Sequence, residues 1–273
     1  MGILRSDRVS GLGGANAING SVFFPYKTSG GYFHSHMEIM SDDFAFGTGN
    51  FTLECWYYMS TDGGHTDSVG NIILLTGNKS GNNGIWLASR NDNKFEARIH
   101  YVSGSWNMTM TSTNAFTRQQ WYHIALVRSG SSVKLYVDGV QEASGSSSSD
   151  LTTTVSNGAW VGSQGNNTNH SNLGSRGING YVSNARISNT ALYTAAFTVP
   201  SARLEKLSST ILLCCQSPGN VLQEATGKTI VTYVDNINNK GPSASHFAPD
   251  VGEDQGTTFE DNTKFDTLSY MVP

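Results

Sequence analysis

Paired carboxylates are the side chains that hydrolyse glycosidic bonds, one acting as the acid and the other as the nucleophile or base. On a β-strand such a pair is expected as Glu-x-Asp-x-Glu or a close variant, because alternate residues share a face. Glu54 is followed by Cys-Trp, Glu96 by Ala-Arg and Glu142 by Ala-Ser, so none has this partner. Asp42 and Asp43 are adjacent, which favours a solvated turn. The sequence therefore predicts a protein that is not an enzyme.

Histidines offer metal chemistry at one place. His34 and His36 are spaced so that both imidazoles lie on one face of a strand, as a metal pair requires. No third ligand is evident nearby, because His65 and His170 fall in polar stretches, so exposed strand histidines are the favoured interpretation. His123 lies in an apolar run, which favours local packing or hydrogen bonding over catalysis. No G-x-S-x-G or GxxxxGK[ST] motif occurs, and no cofactor is predicted.

Exposed aromatic side chains could bind a glycan, because an indole stacks on a sugar ring beside Asn and Asp hydrogen-bonding groups. Trp86 and Trp106, with Tyr101 nearby, are the candidate glycan contacts. Tryptophan in the strands of a sandwich is more often part of the core, so core packing remains the alternative for both indoles.

The composition narrows the function classes. Lys and Arg number 17 and Asp and Glu 21, a net charge of −4, so a phosphate-neutralising surface for nucleic acid is not expected. No apolar stretch approaches the ~20 residues of a membrane span, and the N-terminus lacks the apolar core of a signal peptide. We therefore expect a soluble chain without membrane insertion, made in a cytoplasm. Cys55, Cys214 and Cys215 contain no CxxC and are interpreted as small apolar fillers.

Short runs of alternating residues predict the elements that position these side chains. Residues 51–59 alternate as a half-buried strand does. Residues 121–128 and 133–137, followed by Asp138-Gly139 and Val140, predict a three-stranded meander, because Asp-Gly supplies the positive φ angles of a tight hairpin turn. The spacing of about ten residues per strand favours a sandwich or barrel.

Two local irregularities are also predicted. Val182, Ala185 and Ile187 can all face the core only if the strand contains a bulge around Ser183 and Asn184. Residues 191–197 are predicted to form one helical turn, ended by Pro200.

Three regions follow from these patterns: an extended N-terminal arm over residues 1–20, a β domain over 21–200 and a C-terminal extension over 201–273. Strands at 210–215 and 229–234 are expected either to pair with the main sheets or to form a small satellite. From residue 238 the periodicity is lost. Scattered apolar residues of this tail are interpreted as contacts with an adjacent subunit, with plugs on the parent domain as the alternative: Phe247, Phe259, Phe265, Leu268 and Tyr270.

Four segments together resemble the concanavalin A-like, laminin-G-like jelly-roll domain. They are FTLECW from residue 51, WYHIALVR from 121, VKLYVDG from 133 and GYVSNARIS from 180. The resemblance covers roughly residues 21–200 and implies an all-β, two-sheet antiparallel jelly-roll sandwich. Domains of this kind often hold calcium at a rim. Asp138 is the obvious acid, but its turn explains it, and the loop residues Asp62, Asp67, Asp92, Asn91 and Asn93 are candidates only by type.

Further segments are similar to laminin-G-like structural proteins of tailed marine phages, especially cyanophages. They are LGGANAINGS from residue 12, FAFGTGNFT from 44, ALYTAAFTVP from 191, TILLCCQS from 210 and the ending DNTKFDTLSYMVP from 261. This similarity implies a virion component, assembled in the host cytoplasm: a head decoration or cement, or a tail or fibre appendage. Its implied partners are the major capsid or tail proteins and further copies of itself. The alternative is a lectin-like domain that recognises glycans of the host surface.

Overall fold

The computed structural model describes residues 18–27, 33–60, 71–78, 84–102, 105–152, 157–163, 176–233 and 241–247, with the backbone alone at 26–27, 33–34, 78 and 100–102. The candidate contact residues Phe259, Phe265, Leu268 and Tyr270 lie outside these ranges. The described strands are β1 Gly20–Phe24, β2 Tyr26–Lys27, β3 Phe33–His34, β4 His36–Met40, β5 Phe51–Met59, β6 Asn71–Asn78, β7 Ile85–Ser89, β8 Phe95–Val102, β9 Ser105–Thr111, β10 Trp121–Ser129, β11 Ser132–Val137, β12 Val140–Ser146, β13 Asn157–Val161, β14 Gly180–Ser188, β15 Thr210–Cys214, β16 Val231–Tyr233 and β17 Ser243–His246.

Two antiparallel sheets form the sandwich, which confirms the predicted fold class. The first sheet has the order β12-β11-β10-β5-β14-β1-β17, with β15 also paired to β14. The second has the order β16-β4-β13-β6-β7-β8-β9, and β2 and β3 form a small separate ribbon. A 3₁₀ turn at Asp42–Phe44 follows β4, with both aspartates exposed as expected. No helix of the described residues is long and apolar enough to cross a membrane.

The core lies between the sheets and is built by alternation. In β5 the residues Phe51, Leu53 and Cys55 belong to the main core cluster, while Glu54 and Trp56 point to the opposite face. All nine residues of β5 are nevertheless buried, because other parts of the chain cover the outer face of the first sheet. The three cysteines are buried free thiols, as predicted.

The predicted meander and bulge are both present. Strands β10, β11 and β12 are joined in order, and Asp138 and Gly139 between β11 and β12 have φ angles of 47° and 77°. In β14 the pairing with β5 shifts between Ser183 and Arg186, and Asn184 has a φ of 50°. The inserted residue brings Arg186 opposite Glu54, so this bulge positions a charged side chain.

The segment after β14 contains no helical turn, so the prediction for residues 191–197 was wrong. Instead this segment lies extended over the first sheet, where its backbone finds partners on the sheet: the Leu192 N–H donates to Thr52 Oγ1 and the Phe197 N–H to the Gly139 carbonyl. Tyr193 and Phe197 stack with 3.7 Å between ring centroids. Hydrogen bonds to distant residues of the same chain, together with ring stacking, therefore replace the local hydrogen bonds of a helix.

The last strands join the main sheets and form no satellite. β15 pairs with β14, β16 with β4 and β17 with β1. Phe247, which directly follows β17, is only 3% exposed, stacked on Trp121 and edge-on to Trp56. Phe247 thus occupies the first sheet of its own chain, and its interpretation as a contact with an adjacent subunit is corrected to the alternative, an intramolecular plug.

Candidate functional site

One row of residues crosses the outer face of the second sheet from edge to edge. Each member is the direct cross-strand partner of the next. Because direct partners share a face, the row is continuous on the side of the sheet opposite the core, although its middle members from Glu38 to Trp86 are buried. From β16 to β9 it contains Val231, Glu38, Trp160, Leu75, Trp86, Arg98 and Thr109.

Trp86 and Trp106 meet at one end of this face. Their ring centroids are 4.6 Å apart and the ring planes are inclined by 70°, an edge-to-face contact. Trp86 is 4% exposed, whereas Trp106, from the edge strand β9, is partly exposed. Tyr101 is the backbone partner of Trp106, and its side chain lies outside the described residues. The structure therefore brings the two predicted indoles together away from the main core, so neither belongs to the core between the sheets.

Trp86 belongs to a small apolar cluster on this outer face. Its other members are Ile72, Leu75, Ala88 and Trp160, with Trp106 packed against them. The indole Nε1 of Trp86 is buried and has no hydrogen-bond partner among the described residues. A buried donor without an acceptor costs about 1–3 kcal/mol. The indoles of Trp56 and Trp121 on the first sheet are in the same position, so this donor does not by itself mark a binding site.

A network of ion pairs lies beside the indoles. Buried Glu96 accepts from Arg98 Nε at 2.6 Å and from Arg90 Nη1 at 2.7 Å, and Arg90 also binds Asp92 at 3.1 Å. The guanidinium carbon of Arg98 is 5.9 Å from the centre of Trp106. The hydrogen bonds that Arg90 donates to Glu96 and to Asp92 raise the pKa of Arg90. Glu96 thereby fixes two guanidinium groups, of which that of Arg98 lies next to an indole ring.

A further arginine reaches Trp86 from the other side of the pair. The Arg176 guanidinium carbon lies 4.9 Å from the centre of the Trp86 ring, a cation–π contact. Sequence reasoning missed Arg98 and Arg176. Glu96 and Arg98 are spaced i, i+2 in a predicted strand, so their common face was available as a signal, whereas the approach of Arg176 depends on long-range folding.

A second polar cluster lies on the outer face of the first sheet. Glu54 binds His123 Nε2 at 3.1 Å, Arg186 Nε at 2.8 Å and the Tyr193 hydroxyl at 2.8 Å. Burial would raise the pKa of Glu54, but the hydrogen bond and charge of His123, with Arg186 and Tyr193, outweigh it and lower that pKa. Glu54 and His123 are fully buried, so this cluster holds Tyr193, in the segment after β14, against the first sheet and offers no open site. The prediction that His123 packs or forms hydrogen bonds within the fold is confirmed, because it contacts Glu54 and the Trp56 ring.

The structure describes only some of the candidate metal ligands. Within the described ranges, no three His, Cys, Asp or Glu side chains come together. His36 is buried against Tyr233, with 4.6 Å between ring centroids, so its interpretation as an exposed histidine was wrong: β16 lies beside β4 and covers it. Asp138 accepts from the His123 N–H at 2.9 Å, in keeping with its turn role. The side chains of His34, His65 and His170 lie outside the described residues, as do Asp62 and Asp67.

Comparison with known proteins agrees with the two-sheet topology. The family model of the concanavalin A-like lectin/glucanases superfamily matches residues 30–196. The chain belongs to this superfamily. No curated protein sequence matches the chain.

Solved structures with the superfamily's fold include a candidate carbohydrate binding protein from Bacteroides ovatus. It is 16% identical with a TM-score of 0.53, over 84% of this chain and 60% of that one, so the present chain spans 60% of its length. The heptameric SAP-like pentraxin of Limulus polyphemus is 13% identical, with a TM-score of 0.47 over 80% and 96%. The CBM40 of Ruminococcus gnavus IT-sialidase, bound to α2,3-sialyllactose, is 14% identical, with a TM-score of 0.45 over 66% and 91%. The similarity to the Bacteroides protein shows a shared fold.

Proposed function

We propose that this protein is a carbohydrate-binding, lectin-like domain that binds a glycan at the Trp86–Trp106 pair. The observation that supports this most directly is the partly exposed ring of Trp106, held edge-to-face against a buried indole outside the main core. An aromatic ring presented in this way suits the apolar face of a pyranose.

Polar groups beside the pair suit the hydroxyl groups of a sugar. Arg98 lies within 5.9 Å of the Trp106 ring, and Thr109, its direct partner across the strands, is exposed. The Trp86 Nε1 is buried and out of a ligand's reach, so the polar groups offered to a sugar are the Arg98 guanidinium and the Thr109 hydroxyl. Rigid aromatic rings combined with charged and hydroxyl groups give both affinity and orientation.

The alternative of a hydrolase has less support. The buried carboxylates Glu54 and Glu96 belong to different sheets and are each held by arginine, so they do not form a pair across one bond. Membership in a superfamily that contains both lectins and glucanases allows either activity. A binding function without catalysis is the proposal that fits the described residues.

A screen of the labelled protein against immobilised glycans tests the proposal. We expect saturable binding to a limited set of structurally related glycans. When one of these oligosaccharides is titrated into the protein in solution, we expect the tryptophan fluorescence to change. Uniform weak signals across the set, or none above background, would contradict a lectin function.

The virion role implied by the similarity to phage proteins remains a prediction. Its measurement is the copy number of this protein in purified particles, normalised to the major capsid protein. Hundreds of copies per particle indicate a head decoration, a few to a few dozen indicate a tail or vertex appendage, and absence contradicts the virion role. A glycan-binding appendage would satisfy both proposals.

A further inference from the structure

We propose that the glycan bound at the Trp86–Trp106 pair is anionic and bears a carboxylate, which the Arg98 guanidinium recognises. This inference rests on the proposed function and specifies its ligand class. It derives from the geometry of Arg98, because an uncharged sugar does not require a guanidinium group held beside the Trp106 ring.

The described ion pairs beside the indoles are balanced in charge. Glu96 and Asp92 carry two negative charges, and Arg90 and Arg98 carry two positive ones. Arg98 is the member of this network that lies against an indole ring. The Glu38 carboxylate of the same cross-strand row lies on β4, three strands away from Trp86, where it accepts from the Trp160 indole at 3.2 Å.

The geometry of Arg98 suits a ligand. Its Nε donates to Glu96 at 2.6 Å. Among the described residues, the two terminal nitrogens of Arg98 form no hydrogen bond. The side chain is 16% exposed and its charged carbon lies near the Trp106 ring. The buried carboxylate of Glu96 holds the guanidinium group at Nε and so fixes the orientation of its two terminal nitrogens. Two guanidinium nitrogens can bind one carboxylate in a bidentate manner.

The comparison of matched ligands tests this inference on the unaltered protein. The probes are oligosaccharides that contain uronic or sialic acids, each beside its carboxyl-esterified or carboxyl-reduced form, and sulfated oligosaccharides without carboxylates. We expect each bound acid to bind about tenfold tighter than its neutral form, as one charge-assisted contact allows. Because the contact is ionic and partly exposed, this preference should fall as NaCl is raised.

Variants assign the preference to one side chain. Arg98→Gln should abolish the advantage of the acid, and Arg98→Lys, which keeps the charge but loses the fork, should retain part of it. Arg203→Gln removes an exposed positive charge from the segment that covers the other sheet and should leave the preference unchanged. Thermal melting shows that each variant is folded.

The outcomes separate the two proposals. Equal affinity for acid and neutral forms, or a preference that survives Arg98→Gln, overturns the anionic ligand and leaves glycan binding intact. Binding of the sulfated probes alone overturns the carboxylate and assigns a sulfated ligand. Binding of no probe in either form overturns the proposed function, and this inference with it.

Discussion

Phe247 lies parallel to Trp121 on the outer face of the first sheet, with 4.3 Å between ring centroids and 17° between ring planes. The edge of Trp56 closes the other side at 5.7 Å. Ile18, the first described residue, belongs to the same cluster, and the Phe247 N–H donates to the Asn19 carbonyl at 3.2 Å. The described segments nearest to both termini are therefore held together on one surface of their own domain.

Replacing Phe247 with Ala should lower the free energy of unfolding by about 3–5 kcal/mol, because a buried ring is lost from an aromatic cluster. Urea denaturation followed by tryptophan fluorescence measures the change. Leu222→Ala is the control, since Leu222 is 52% exposed and its truncation should change stability by less than about 0.5 kcal/mol. If the Phe247 variant were as stable as the wild type and sedimentation showed a changed oligomeric state, Phe247 would be a contact between subunits and its intramolecular role would be contradicted.

Replacing Glu54 with Gln should destabilise the fold by about 3 kcal/mol or more, because Arg186 would remain buried without a carboxylate. The same denaturation experiment at pH 7 measures this loss. Glu205→Gln is the matched control and should behave as the wild type, because Glu205 is an exposed glutamate between β14 and β15. A neutral effect of Glu54→Gln would mean that the network adds nothing to stability.

The same carboxylate predicts a pH dependence. The pKa of Glu54 is lower in the folded state than its ordinary value of about 4.3, so its contribution is complete above that pH and is lost as the pH falls through the folded-state pKa. Wild-type stability should therefore fall more steeply with acidification below about pH 4.3 than that of Glu54→Gln. Parallel pH profiles of the two proteins would contradict the lowered pKa.

Replacing Arg128 with Met should cost about 3 kcal/mol or more, because three charge-assisted hydrogen bonds are lost. The buried guanidinium donates to the carbonyls of Gly49, Ser149 and Gly47 at 2.7, 2.9 and 2.7 Å, and it lies over the Phe51 ring. Arg128→Lys should recover only part of the stability, because one ammonium group cannot reproduce the fork. Thermal and urea melting of both variants measure this order, and equal stability of the Lys variant and the wild type would contradict it.

Much of the fold was predictable from the sequence because its signals are local. The Asp138-Gly139 turn and the alternation of β5 were read correctly, and so was the bulge at Ser183 and Asn184, since three apolar residues could share a face in no other way. Strand β17 was not predicted, because Ser-Ala-Ser-His is too short to show alternation. The prediction of a helical turn after β14 was wrong because the first sheet supplies hydrogen-bond partners for the backbone N–H groups of this segment.

The candidate site was predictable only in part. Residue type selected Trp86 and Trp106, but their contact depends on the pairing of β7, β8 and β9, which no local pattern specifies. Arg98 could have been found, because it lies two residues after Glu96 on one predicted strand and therefore shares a face with it. Phe247 was assigned to the wrong surface, because the sequence does not show which chain buries an isolated aromatic residue in a polar tail.

Isothermal titration of one glycan identified by the screen, into the wild type, Trp106→Ala and Leu222→Ala, tests the central claim most directly. The account predicts that Trp106→Ala weakens binding by about tenfold or more, which is ~1.4 kcal/mol, with an unchanged melting temperature, and that Leu222→Ala binds as the wild type does. Wild-type affinity in a folded Trp106→Ala variant would contradict glycan binding at the Trp86–Trp106 pair.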